Sequence, residues 1–217
     1  MPCGFVQPCQ PSPVPRPPTG REWIHEIKHN GLRLLAFRAG RRVRLYTPQG
    51  DDWSERFPLI TAAVAALPLH SCLIDGEAVI CRADGVAGSH LLHSGRYDER
   101  AFLYAFDLLA LDGEDMRREP IEIRKAKLAH LLGATGGQRG SVVPHQRSAY
   151  RALPHPGISF KEHVEADGRK VFEQACRIGL GGIVSKRRGA PYSSGPSADW
   201  VSSENPWAGA AWRDCYM

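Results

Sequence analysis

From Arg21 onward, short runs of alternating or continuous apolar residues lie between turn formers, and each run predicts one element. Trp23–Lys28 places Ile24, Glu26 and Lys28 on one face of a strand and Trp23, His25 and Ile27 on the other. Asn30-Gly31 is a tight-turn pair, and with Leu32–Phe37 behind it the pattern predicts a β-hairpin. Arg41–Thr47 alternates again and closes on the turn Pro48-Gln49-Gly50-Asp51. Arg56–Leu67 has Pro58 near its start and apolar residues at helical spacing, so an amphipathic helix is expected there. Cys72–Ile80 and Ala101–Leu109 fit buried strands, Ile121–Leu132 after Pro120 a helix, and Gly133–Gly140 a loop. Ile158–Val164 reads as a strand and is followed by a helix capped by Asp167 and stopped at Gly179; Gly182–Arg187 reads as the last strand. The sum is an α+β domain with mainly antiparallel sheets, flanking helices and no internal repeat. Residues 1–20 hold seven prolines and no aliphatic period, which predicts an extended tail or strap that joins no sheet.

Composition narrows the class. At 217 residues, 42% hydrophobic and 24% charged, the chain is long enough to bury a sizeable core, and its apolar runs are too short for membrane spans. No basic segment followed by an apolar one opens the sequence, so the cytoplasm is the expected compartment. The six cysteines form no C-x-x-C pair and are expected as reduced thiols. The net charge of +5 is unevenly placed, with cations at Arg21, Lys28, Arg33, Arg38, Arg41, Arg42 and Arg44 and a second cluster at Lys186-Arg187-Arg188. Such clusters suit a polyanion, though a solvated charged face accounts for them equally well.

The informative charges interrupt apolar strands. Lys28 ends the first strand, Asp75 and Glu77 share a face of Cys72–Ile80, Asp107 interrupts Ala101–Leu109, and Lys186 lies in the last strand. Burial of such groups unpaired costs several kcal/mol each, so they either pair with one another or converge on a charged ligand.

Four segments, Glu26-Ile27-Lys28-His29-Asn30-Gly31-Leu32-Arg33, Ile74-Asp75-Gly76-Glu77-Ala78-Val79, Tyr104-Ala105-Phe106-Asp107-Leu108-Leu109 and Gly182-Ile183-Val184-Ser185-Lys186-Arg187, resemble in order the nucleotidyltransferase motifs of ATP-dependent DNA ligases. The nearest likeness is to bacterial end-joining ligases, and it runs from about Arg16 to Pro206. The resemblance implies a ligase-type adenylation domain over 21–206, a tail before it and a short atypical tail over 207–217. It implies ATP and Mg²⁺ as cofactors and a nicked DNA duplex as partner. Lys28 would be the nucleophile that forms a lysyl-AMP, its amine activated by desolvation and a nearby second cation, and Lys186 the cation at the α-phosphate. Glu26 would lie near the adenine edge, Arg33 near the ribose or phosphates, Glu77 at the ribose or metal, and Phe106 under the adenine, although Tyr104 on the same strand face fills the core equally well.

Several positions depart from that pattern. Asn30 stands where the family has Asp, and Gly181 where it has Glu. Pro48-Gln49 replaces Arg-Asn, and Gly88-Ser89-His90 and Gly95 lack an expected Asp-Phe-Asp and Arg. Val201-Ser202-Ser203-Glu204 replaces a stretch with two lysines. Residues 207–217 leave no room for the OB-fold expected to follow, so a partner supplying its function is implied, and slow adenylation is expected. A silent relative that binds nucleotide or DNA, another lysine-nucleotidylating enzyme of RNA-capping type, and a plain basic binding module remain open. His29, His90 and His93 are expected at the surface rather than in a metal site.

Overall fold

The computed structural model describes residues 4–80, 91–92, 94–134 and 156–208. Two mixed sheets stack through an apolar layer, and helices cover their outer faces. The first sheet has the order β1 (Cys9–Pro13), β10 (Gly195–Glu204), β9 (Gly182–Arg187), β2 (Trp23–Ile27). The second runs β4 (Arg42–Tyr46), β3 (Leu32–Ala39), β5 (Ser71–Val79), β6 (Phe102–Leu111), β7 (Glu114–Asp115), with β8 (Ile158–Phe160) parallel to β6. Ile24, Cys9 and Trp200 of the first sheet meet Leu35, Leu73, Phe106 and Leu109 of the second in one buried layer. On the far side of the second sheet, α1 (Pro58–Ala66) and Leu128 of α2 (Ile121–Leu131) close the largest core cluster. On the far side of the first, α3 (Gly168–Arg177) buries Val171 and Ala175 against Ile27 and Ile183. The alternation in β2 thus decides its two faces: Ile24 and Glu26 point between the sheets, and Ile27 points to the helix.

Most elements lie where hydrophobic periodicity places them, and the Asp167 carboxylate caps α3 by accepting from the amides of Arg169 and Lys170. Gly182–Arg187 is not the last strand, since β10 follows it, and two further expectations fail. The segment around Asn30-Gly31 does not make a hairpin, because β2 pairs with β9 and β3 pairs with β4 and β5, in different sheets. Asn30 is left-handed (φ 57°) but Gly31 is not, whereas the type I′ turn that Asn-Gly favours needs positive φ at both central positions. The chain instead crosses between sheets here, with the Lys28 amide donating to the Gly182 carbonyl and the Gly31 amide to the Glu77 carboxylate. A Cβ on Gly31 would overlap the Ala78 carbonyl, so the crossing needs glycine for its close approach.

The third failure is the proline-rich segment, which does join a sheet: Cys9–Pro13 pairs in parallel with β10, with an irregularity between Pro11 and Ser12. An edge strand has only one side to pair, so prolines facing outward lose no ladder bond. Side chains complete the anchorage. The Tyr192 hydroxyl accepts from the Cys9 amide (2.9 Å), Arg33 donates to the Cys9 carbonyl, and the Ser12 hydroxyl donates to the Ser197 carbonyl (2.8 Å).

Gly88-Ser89-His90, His93, Cys3, Cys81, Cys215 and most of Gly133–Gly140 lie outside the described residues. Among the described residues Cys9, Cys72 and Cys176 are free thiols, and no helix is long and apolar enough to cross a membrane.

Candidate active site

The layer between the sheets is apolar except at one end, where acids and bases from six strands and α2 meet. Glu26 on β2 is buried and accepts from two ammonium groups, Lys125 of α2 at 2.7 Å and Lys186 of β9 at 2.9 Å. Lys186 is also buried, and its Nζ sits 4.3 Å from the Phe106 ring centre and 4.0 Å from that of Trp200. The Phe106 ring packs edge-on to Trp200 at 6.0 Å. Glu26, Lys186 and Phe106 are therefore brought into one cluster.

Arg33 and Glu77 are neighbours across the β3–β5 ladder but find different partners. The Arg33 guanidinium is bidentate on buried Asp75 (3.0 and 2.6 Å), and the Tyr192 hydroxyl donates to the same carboxylate (2.6 Å). Arg33 thereby ties β1, β3 and β5 together, with its nitrogens already engaged. One oxygen of Glu77 accepts from the Gly31 amide at 2.6 Å and the other from Lys161 of the β8 end at 2.8 Å. Asp107 is bidentate with Arg124 of α2, both fully buried.

Lys28 follows β2 two residues after Glu26, at the sheet crossing whose Gly31 amide binds Glu77. The Lys28 side chain is 29% exposed, and its ammonium donates to the Asn30 side-chain oxygen at 2.8 Å and pairs with Glu204 of β10 at 3.2 Å. Three of the departures from the ligase pattern thus meet around one amine, because a Cβ on Gly181 would overlap the Asn30 carboxamide. Tyr104 stacks on His29 with ring centres 4.9 Å apart.

Arg124, Lys125 and Lys161 were not singled out from the sequence. Lys125 had a legible signal: Ile121, Arg124, Lys125 and Leu128 form the buried stripe of α2, so both cations stand at core positions of the helical period. Lys161 had almost none, since it follows a three-residue strand whose pairing is non-local.

A family model described as ATP dependent DNA ligase domain matches residues 16–202. The chain belongs to this family. It is 33% identical over 201 residues to the multifunctional non-homologous end joining protein LigD of Pseudomonas aeruginosa, covering 91% of this chain and 22% of that protein. It is 32% identical to a probable DNA ligase of Streptomyces coelicolor, covering 81% of this chain and 34% of that protein. The chain thus spans between about a fifth and a third of these relatives' length. The ligase domain of Mycobacterium tuberculosis LigD shares the fold, with a TM-score of 0.74 at 24% identity over 94% of this chain and 62% of that one.

In this ligase domain the implied Mg²⁺ finds no set of protein ligands. Among the described residues no group of three or more His, Cys, Asp or Glu is placed to hold a metal. The oxygens of Glu77, Glu26, Asp75 and Asp107 are each engaged by cations or donors of the protein itself. A hard cation that demands several oxygen ligands does not fit beside ammonium groups at hydrogen-bond distance.

The ion pairs set the protonation states. Burial pushes the Glu26 carboxyl up, but Lys125, Lys186 and Lys161 more than offset it and bring it down to about 2. Burial likewise opposes ionisation of Glu77, and Lys161, His29 and the Gly31 amide bring it to about 2. Desolvation and Lys161 lower His29 to about 4, and desolvation lowers Lys186 to about 8 against the attraction of Glu26. For Glu26, Glu77 and His29 the folded values lie below the ordinary 4.5, 4.5 and 6.5, so the folded state binds fewer protons than the unfolded chain in the acid range. Stability is then fully present above about pH 6.5 and is lost as pH falls through 4 towards 2. Urea melts at stepped pH should show a loss of several kcal/mol across that window, smaller but still present in Glu77→Gln because Glu26 and His29 remain; a midpoint flat from pH 6.5 to 3 would contradict it.

Proposed function

We propose that the chain is an adenylation domain that forms a lysyl-AMP on Lys28 and passes the AMP to a 5′-phosphate at a DNA nick. The amine lone pair of Lys28 attacks the α-phosphorus of ATP, an N–P bond forms, pyrophosphate leaves with the electrons of the α–β bridge, and the amine gives up its proton. A 5′-phosphate oxygen then attacks the same phosphorus, and the N–P bond breaks to return the amine. One arrangement carries this reading: Lys28 follows directly on the strand that holds Glu26, and Glu26 fixes Lys186 against the Phe106 ring. An amine, a fixed cation for a phosphate and an aromatic face for a base thus share one end of the sheet layer. Lys186 stays mostly charged at pH 7 despite burial, as stabilisation of a phosphorane-like transition state requires. The basic residues Arg41, Arg42, Arg44, Arg187 and Arg188 supply a surface for the duplex. A partner segment that completes closure over the nucleotide belongs to the same proposal.

Incubation with α-labelled ATP should give covalent label on the chain, and a chase with nicked duplex should move it to the 5′-phosphate strand. A folded protein that takes up no label and transfers none would overturn the proposal.

Glu204 limits the rate, because its carboxylate lies beside the attacking amine and repels an incoming triphosphate. Glu204→Gln should raise the single-turnover labelling rate by about two- to fivefold, the scale of one exposed ion pair. Glu204→Lys, which reverses the charge, should raise it further. An unchanged or lower rate in both variants would exclude Glu204 as the brake.

A further inference from the structure

Lys161 is a buried cation of the cluster that no step above uses. Its backbone is held on both sides: its amide donates to the Ala105 carbonyl at 2.8 Å, and its carbonyl accepts from Lys125 Nζ at 2.9 Å. Its side chain is 7% exposed and reaches Glu77, 13% exposed, at 2.8 Å. The second Glu77 oxygen is taken by the Gly31 amide. Lys161 Nζ also lies 5.6 Å from the Phe106 ring centre, on the ring that Lys186 approaches from 4.3 Å. The other three buried carboxylates do not compete for it, because Glu26 has Lys125 and Lys186, Asp75 has Arg33 and Tyr192, and Asp107 has Arg124.

We propose that Lys161 is the resident counter-cation of Glu77, a fixed ammonium that takes the place of a protein-bound divalent ion and holds Glu77 against the Gly31 turn beside Lys28. This assignment rests on the nucleotide pocket proposed above. A lysine ammonium is a compact point charge with three donors, so it neutralises a carboxylate without recruiting the further oxygen ligands that a divalent ion demands. Lys161 is a positioning residue: it acts through Glu77 and the Gly31 amide on the crossing that carries Lys28. The pocket is therefore charge-compensated before nucleotide arrives, and Glu77 is closed to metal.

The test uses Mn²⁺ in the absence of nucleotide, read as loss of the free-ion paramagnetic resonance signal on titration with protein. The wild-type chain should leave the signal unchanged. Lys161→Ser, which frees one Glu77 oxygen, should take up Mn²⁺ with water filling the remaining ligand positions, and Lys161→Ser/Glu77→Gln should lose that uptake. Lys161→Met, which keeps the side-chain length without the charge, carries the same expectation if the serine variant does not fold. Mn²⁺ uptake by the wild type that Glu77→Gln removes would overturn the proposal, as would a folded Lys161 variant that takes up none. These readings require no adenylation, so their failure is distinct from a failure to label Lys28.

Discussion

Lys28→Ala loses covalent labelling by α-labelled ATP by at least about 10³-fold, and Lys28→Arg loses it to the same extent. The alanine variant removes the amine, and the arginine variant keeps a cation at the crossing but offers a guanidinium that does not give up its proton. Neighbouring amines do not substitute, because Lys125, Lys161 and Lys186 are buried against carboxylates. Stability should stay within about 0.5 kcal/mol in both variants, since the lost contacts are a part-exposed pair with Glu204 and one hydrogen bond to Asn30. Loss of label with an unshifted melt separates chemistry from folding. Label that survives either substitution would remove Lys28 as the nucleophile.

The largest effect on stability falls at Arg124→Ala. Arg124 and Asp107 are fully buried and bidentate, and Arg124 also donates to the carbonyls of Glu119 and Ala190. Truncation leaves a buried carboxylate and two carbonyls without these donors, which costs about 3–5 kcal/mol. For a domain of this length that is a fall of roughly 6–20 °C in Tm. Arg124→Met with Asp107→Leu removes both charges and keeps volume, so the double variant should recover much of the loss. A single variant within about 1 kcal/mol of wild type would show that the pair is not desolvated as described.

What the sequence made legible follows from range. Helices α1, α2 and α3 are local, so Pro58, Pro120, Asp167 and the apolar period place them without knowledge of the rest. Strands β5 and β6 announce themselves by continuous apolar runs because both of their faces are covered. Strand partners are not local. Asn30-Gly31 carries the letters of a hairpin, and only the pairing of β2 with β9 more than 150 residues away shows that the chain changes sheets there. Strand β1 carries prolines that argue against a strand, and its pairing depends on Tyr192 and Arg33. Strand β10 reads as mixed polar and small residues because it lies between β1 and β9 with alternating exposure.

The candidate site divides the same way. Charges interrupting apolar strands marked Lys28, Asp75, Glu77, Asp107 and Lys186, and the resemblance added Glu26, but the pattern did not say who pairs with whom. Arg33 closes on Asp75 and Glu77 on Lys161, in each case through contacts between segments more than 40 residues apart. Lys28 was expected to be desolvated beside a second cation; the structure places it part-exposed beside the Glu204 carboxylate, because β10 ends opposite the start of β9 and brings Glu204 to the crossing.

Peptide mapping by mass spectrometry after incubation of the wild-type chain with ATP tests the central claim most directly. The account predicts one acid-labile AMP on the peptide that contains Lys28, lost when pyrophosphate is added back. AMP on any other residue, or on none while ATP binds, would contradict it.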